Sequence, residues 1–177
     1  MGPHFKNIVL IGFMGTGKTS VGRLLAARLG RLFVDVDKQI EVMNGMEIKE
    51  MFSAYGEEYF RQKEAEAVRK ISRRHRTVIA TGGGVVLNPQ NMRNLAKTGI
   101  IISLTASVST ILERTGRRNT RPLLNRPDRE EVVTKLLEER EELYKKADFI
   151  IDTDGASPYQ VSDRIILLLK KGGFIRG

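Results

Sequence analysis

Residues 8–29 read I-V-L-I-G-F-M-G-T-G-K-T-S-V-G-R-L-L-A-A-R-L. The apolar run Ile8–Ile11 has the length and composition of a buried strand. Gly12, Gly15 and Gly17 interrupt it, and Lys18 and Thr19 follow. An amphipathic helical pattern then begins at once, with Val21, Leu24, Leu25 and Leu29 on one stripe. Gly12, Gly17, Lys18 and Thr19 fill the fixed positions of G-x-x-x-x-G-K-[ST]. The spacing has a chemical reason. Glycines let the backbone curl with no Cβ in the way. The curl turns several N–H groups inward and ends at a helix N-terminus, where the dipole favours an anion. Lys18 is then expected to reach the β- and γ-phosphates of a nucleotide, and the Thr19 hydroxyl to bind Mg²⁺. The strand before the loop and the helix after it are the context that separates this motif from a chance cluster of glycines.

Gly30 stops that helix, and Leu32–Val36 reads as a second strand. Asp35 and Asp37 straddle its end. Carboxylates beside a phosphate loop suit Mg²⁺ or a substrate hydroxyl, although an aspartate here can also cap the helix that starts near Lys38. Short helices end at Gly45 and Gly56, and a long amphipathic helix is expected over Glu57–Arg74. Glu64 lies close to the apolar stripe of that helix, with Arg61 on its edge. The two are three residues apart and can pair, and a Glu that near the buried side needs a partner. The pair reads as part of a cleft, with a solvated helix pair as the alternative. After the strand Thr77–Ala80 comes Thr81-Gly82-Gly83-Gly84, where three glycines imply close approach of the backbone to something else.

A further helix, Asn91–Lys97, precedes a fourth strand over Ile100–Leu104, and Ser107 caps a helix that runs to Arg114. Residues 115–127, T-G-R-R-N-T-R-P-L-L-N-R-P, have neither helical nor strand period and carry Arg117, Arg118, Arg121 and Arg126. A loop of that length in a compact domain suits a functional lid, and a basic lid suits phosphoryl transfer. In the helix expected over Asp128–Lys146, Val133, Leu136, Leu137 and Tyr144 form a stripe with Arg140 in its middle. An arginine on an apolar face needs an anionic partner, and a bidentate carboxylate fits a guanidinium. A fifth strand (Asp148–Ile151), a helix opening at Pro158 and a frayed tail over Lys170–Gly177 complete the chain.

Strands and helices alternate five times, which predicts an α/β fold: a five-stranded parallel sheet in three layers, with helices on both faces and ligands at the carboxyl ends of the strands. The length of 177 residues suits one domain, here 1–177 with a lid at about 115–127. The absence of cysteine rules out disulfides, thiolate nucleophiles and Cys-bound zinc. No run approaches the ~20 apolar residues of a membrane helix, and the first residues lack a signal-peptide core, so a soluble cytoplasmic protein is expected. The net charge of +9 attracts polyanions. Aromatic content of 6% with no Trp argues against a nucleic-acid platform and for a small enzyme acting on phosphates and carboxylates.

These residues describe a small P-loop kinase for an anionic, hydroxyl-bearing metabolite, and together they resemble shikimate kinase. The matching segments are G-F-M-G-T-G-K-T (12–19), D-V-D (35–37), G-E-E-Y-F-R-Q-K-E (56–64), T-G-G-G (81–84), R-P-L-L (121–124) and E-R-E-E-L-Y (139–144). The resemblance implies transfer of the ATP γ-phosphate to the 3-hydroxyl of shikimate, with one Mg²⁺ ion, by a monomer. Gly15, Thr16, Gly17, Lys18, Thr19 and Ser20 would cradle the ATP phosphates, and Thr19 with Asp35 would hold Mg²⁺. Asp37 would take the substrate hydroxyls as base or orienter. Arg61 and Arg140 would clamp the carboxylate, and Gly82 and Gly83 would add backbone contacts. Arg121 would close on the phosphates, and Arg114 and Pro158 would sandwich adenine. Some family members carry a basic residue in the turn before that proline, where this chain has Asp154-Gly155-Ala156-Ser157. The rival in the same class is another metabolite kinase, such as gluconate kinase; the rival in a different class is a nucleic-acid-dependent NTPase.

Overall fold

The computed structural model describes residues 6–116 and 128–175. Five strands form the centre: β1 (Asn7–Ile11), β2 (Leu32–Asp35), β3 (Thr77–Ala80), β4 (Gly99–Thr105) and β5 (Phe149–Asp152). They pair in parallel in the order β2-β3-β1-β4-β5. Seven α-helices among the described residues connect and cover them: α1 (Lys18–Leu29), α2 (Val36–Asn44), α3 (Ile48–Ile71), α4 (Pro89–Thr98), α5 (Val108–Gly116), α6 (Arg129–Tyr144) and α7 (Pro158–Lys171). This is the expected three-layer α/β fold.

The apolar run that opens the sequence becomes the central strand because both of its faces are covered. Val9 and Ile11, with Ile79 and Ile101, point into a core built with α2, α3 and α6. Ile8 and Leu10, with Val78, Ile100 and Ile102, point into a second core against α1 and α7. A parallel strand buried on both faces has no polar side to show, so its sequence is continuously apolar rather than alternating. Full burial of each such side chain contributes about 1.5–3 kcal/mol. β1 pairs with β3 on one side and β4 on the other. The chain leaves β1 towards β2 and leaves β4 towards β5, in opposite directions, which opens a crevice at the carboxyl ends of these two strands.

Several boundaries differ from the sequence reading. The second strand stops at Asp35, and Val36 already belongs to α2, so no loop separates them. Asp37 therefore sits in the first turn of a helix rather than on a strand end. α3 (Ile48–Ile71) is two helices meeting at a kink at Gly56, whose φ 79° and ψ 177° are non-helical, so the expected stop at Gly56 is present. α3 ends before Arg74 because Asn7 gathers the following turn: its Nδ2 donates to the Arg74 carbonyl at 2.6 Å and its Oδ1 accepts from the Thr77 N–H at 3.1 Å. The C-terminal tail is not frayed over its described length. α7 continues to Lys171, Gly173 turns the chain at φ 71°, and Ile175 is buried beside a Phe149–Phe174 edge contact.

Candidate active site

The phosphate loop is held by its own atoms. Thr16 is buried, and its hydroxyl donates to the Phe13 carbonyl at 2.8 Å. The Lys18 ammonium donates to the carbonyls of Gly12 (2.7 Å) and Phe13 (2.8 Å), so it lies across the loop it belongs to. Gly12 adopts φ 140°, and a Cβ there would collide with the Leu104 carbonyl at the end of β4; both reasons demand glycine. Gly17 caps α1 in a left-handed conformation, which aims the free N–H groups of that helix at the crevice.

Asp35 serves two partners with its two oxygens. Oδ1 accepts from the Lys38 N–H at 3.3 Å and caps α2, while Oδ2 accepts from the Thr19 hydroxyl at 2.8 Å. The capping reading therefore holds for one oxygen, while the other faces the Thr19 hydroxyl. Thr19 and Asp35 form a pair of hard oxygen donors, which suits Mg²⁺. Among the described residues there is no cluster of three or more His, Asp or Glu side chains. The donor set thus fits an ion that keeps most of its water and shares phosphate oxygens, rather than one caged by protein.

One cleft of about 430 Å³ is lined by the loop from Gly15 to Ser20, by Asp35 and Asp37, by Gly82 and Gly83, and by Arg114 and Pro158. Arg114 is tied down on three sides. Its Nη1 donates to the Thr153 hydroxyl (3.0 Å) and the Gly15 carbonyl (3.3 Å), and its Nη2 donates to the Thr153 carbonyl (2.8 Å). The buried Thr153 hydroxyl in turn donates to the Thr105 carbonyl at 2.9 Å.

Arg61 and Arg140 meet the glycine turn itself. A Cβ on Gly84 would strike the Arg61 guanidinium, and a Cβ on Gly82 would lie 2.6 Å from Asp37 Oδ1 and 3.3 Å from Glu64 Oε1. None of the three glycines has a positive φ, so the T-G-G-G run exists for space and not for a special backbone conformation. Arg140 reaches the Gly83 carbonyl at 3.5 Å and stands 5.8 Å from the centre of the Phe13 ring. A Cβ on Gly83 would lie 3.3 Å from the Met14 N atom. The phosphate loop, the glycine turn and both arginines are thus neighbours.

Arg61 is gripped by two carboxylates, Glu64 (3.0 Å) and Glu57 (3.0 and 3.2 Å). Burial works against its cation, but the two glutamates outweigh it and raise its pKa. Glu64 is 1% exposed, and its Oε1 has no hydrogen-bond partner among the described residues. Burial raises the Glu64 pKa above 4.5; the charge of Asp37 adds to the shift, while Arg61 and Arg140 oppose it. An ion pair alone would lower it, so desolvation decides the sign here.

The family model described as Shikimate kinase matches residues 14–170. The chain belongs to the shikimate kinase family. A shikimate kinase of Thermodesulfovibrio yellowstonii is 55% identical over 161 residues, covering 91% of this chain and 93% of that one. The structure of shikimate kinase from Acinetobacter baumannii in complex with shikimate superposes with a TM-score of 0.91 at 37% identity, over 95% of this chain and 94% of that one. A gluconokinase from Sinorhizobium meliloti reaches a TM-score of 0.58 at 15% identity and shares the fold alone. The enzyme is an ATP-dependent phosphotransferase that carries the γ-phosphate of ATP to shikimate.

Three residues that hydrogen-bond to these groups escaped the sequence reading. Glu57 stands four residues before Arg61, and that helical spacing was a usable signal. Thr153 reads only as part of a turn, and Tyr144 only as one more apolar residue in a stripe. Arg121, which the family resemblance assigns to the phosphates, lies outside the described residues, as does the expected lid except for Thr115 and Gly116, which close α5.

Proposed function

We propose that the 3-hydroxyl of shikimate attacks the γ-phosphorus of ATP in line, giving shikimate 3-phosphate and ADP, with residues of this one chain in the following roles. The backbone from Gly15 to Ser20 holds the phosphates. Lys18 leaves its loop carbonyls for the γ-phosphate and neutralises charge as that group moves. Thr19 and Asp35 would hold Mg²⁺, which would supply positive charge to offset that of the phosphates. Arg61 and Arg140 take the shikimate carboxylate, and Gly82 and Gly83 contact the ring through backbone groups. Asp37 accepts hydrogen bonds from the ring hydroxyls and orients the attacking oxygen. With a loose transition state, orientation and charge neutralisation carry most of the catalysis, and full proton removal by Asp37 is not required before transfer. Arg114 and Pro158 flank the adenine, and Arg121 acts on the phosphates from a lid at 115–127.

One observation carries this reading: both guanidinium groups meet the Gly82–Gly84 turn, and Gly82 and Gly83 line the same cleft as the phosphate loop. Every assigned group belongs to one chain, so a monomer suffices and no nucleic acid has a part. Among the described residues no helix is long and apolar enough to cross a membrane, and the reading puts the enzyme in the cytoplasm with its nucleotide. The test is ADP release from Mg-ATP with shikimate, with gluconate, with RNA and with no acceptor, followed by phosphorus NMR of the product. Release stimulated by shikimate alone, with phosphate on the 3-oxygen, is the expected result. Stimulation by gluconate or RNA, or phosphate on another oxygen, overturns it.

A further inference from the structure

Tyr144 lies on α6 one turn beyond Arg140 and is 6% exposed. Its hydroxyl donates to the Gly83 carbonyl at 2.7 Å. Arg140 Nη1 reaches the same oxygen at 3.5 Å. A carbonyl oxygen has two lone pairs and can accept both, but 3.5 Å is at the limit of a hydrogen bond and 2.7 Å is at the optimum for an O–H donor. Tyr144 is therefore the principal partner of this carbonyl and Arg140 the minor one. Gly83 is the residue where the glycine turn comes nearest the phosphate loop, at Met14. Burial pushes the phenol pKa up to about 12, against the opposing charge and hydrogen bond of the neighbouring Arg140, so the group stays a neutral donor at neutral pH.

We propose that Tyr144 is a positioning residue for the acceptor site: by holding the Gly83 carbonyl with the shorter hydrogen bond it weakens that oxygen's pull on the Arg140 guanidinium, which stays available to the substrate carboxylate. The proposal rests on the assignment of Arg140 to that carboxylate. Without the hydroxyl, Arg140 is the remaining side-chain donor to this carbonyl among the described residues. The guanidinium is then drawn onto the peptide, and the acceptor must compete for it. ATP, held by the backbone of another loop, is not affected.

Tyr144→Phe in the full-length enzyme removes the hydroxyl and keeps the ring. The expected result is a KM for shikimate raised about five- to tenfold, the usual yield of one hydrogen bond, with kcat and the KM for ATP within about twofold of wild type. On an Arg140→Gln background, Tyr144→Phe should add no further rise. Unchanged KM for shikimate, equal rises for both substrates, or a full additional effect on that background overturns the inference. A loss of thermal stability with no KM split marks a merely structural residue and overturns it as well. Arg140→Gln alone tells the two readings apart: if it leaves the shikimate KM unchanged, the carboxylate assignment is what fails. Should Tyr144→Phe not fold, Tyr144→His, which keeps a ring N–H donor, is compared with Tyr144→Leu. Retention of low KM by His alone supports the inference, and equal loss in both overturns it.

Discussion

The phosphate loop and the glycine turn at Gly82–Gly84 are built on opposite plans. The loop is a single short stretch, from Gly12 to Ser20, that closes on itself: Thr16 and Lys18 bond to carbonyls of their own loop. At the glycine turn the charged groups come from α2, α3 and α6 and converge on residues with no side chains of their own. Glu64, nearly sealed from solvent, keeps one carboxylate oxygen without a hydrogen bond among the described residues. Phosphate recognition through backbone amides is generic to any nucleotide. Recognition of one particular hydroxy acid needs side chains at fixed angles: Arg61 is held by Glu57 and Glu64 of its own helix, and Arg140 reaches across to the Gly83 carbonyl.

The sharpest way to break this contrast is Lys18→Ala. Removing a cation that acts on the moving phosphoryl group should lower kcat by about 10²–10³, or roughly 3–4 kcal/mol of transition-state stabilisation, with a much smaller effect on either KM; steady-state ADP release reads this directly. Arg140→Ala comes next. It should raise the shikimate KM by about 30-fold, near the ~2 kcal/mol lower bound for removing one member of a charged pair, and leave the ATP KM almost unchanged. Equal losses for both ligands would erase the division between the two sides.

Thr153→Val sharpens the comparison from the opposite direction. The change keeps the shape and deletes the hydroxyl that joins Arg114 to β4, so the KM for ATP should rise about fivefold, or ~1 kcal/mol. Shikimate binding should be unaffected, and Thr153→Ser should behave as wild type. The smallest effect is a pH dependence. Glu64 has a raised pKa in the folded state, so between its unfolded and folded values the native protein holds the extra proton. Stability attached to this group therefore falls as pH rises above 4.5 through the folded pKa. Relative to Glu64→Gln, whose side chain does not titrate, the wild-type melting temperature should decline by a few degrees over that window. A widening advantage of wild type with rising pH would mean that Arg61, and not burial, governs the carboxylate.

Much of this was readable from the chain, and the reasons are specific. The phosphate loop is contiguous, so its spacing alone identifies it. Arg140 betrays itself because a cation interrupts an apolar stripe, and Glu64 because a carboxylate sits beside one. T-G-G-G announces a crowded backbone, although not that the crowding comes from Asp37 and Arg61. Other features were hidden. Tyr144 satisfies the apolar pattern with its ring, so nothing in the periodicity reveals what its hydroxyl does. Thr153 acts through contacts to residues 39 and 48 positions earlier, which no local pattern encodes. The end of β2 was misjudged because Asp35 is at once the last strand residue and the helix cap. The packing of Phe174 and Ile175 was missed because a basic, glycine-containing terminus reads as loose.

The glycines at 82 and 84 are kept from being alanine by two side chains that occupy the space a methyl would take. A one-carbon addition at either position would evict a carboxylate or a guanidinium from its seat while leaving the loop from Gly12 to Thr19 intact. In evolutionary terms, that notch is where the smallest heritable change could separate loading of the phosphate donor from choice of its recipient.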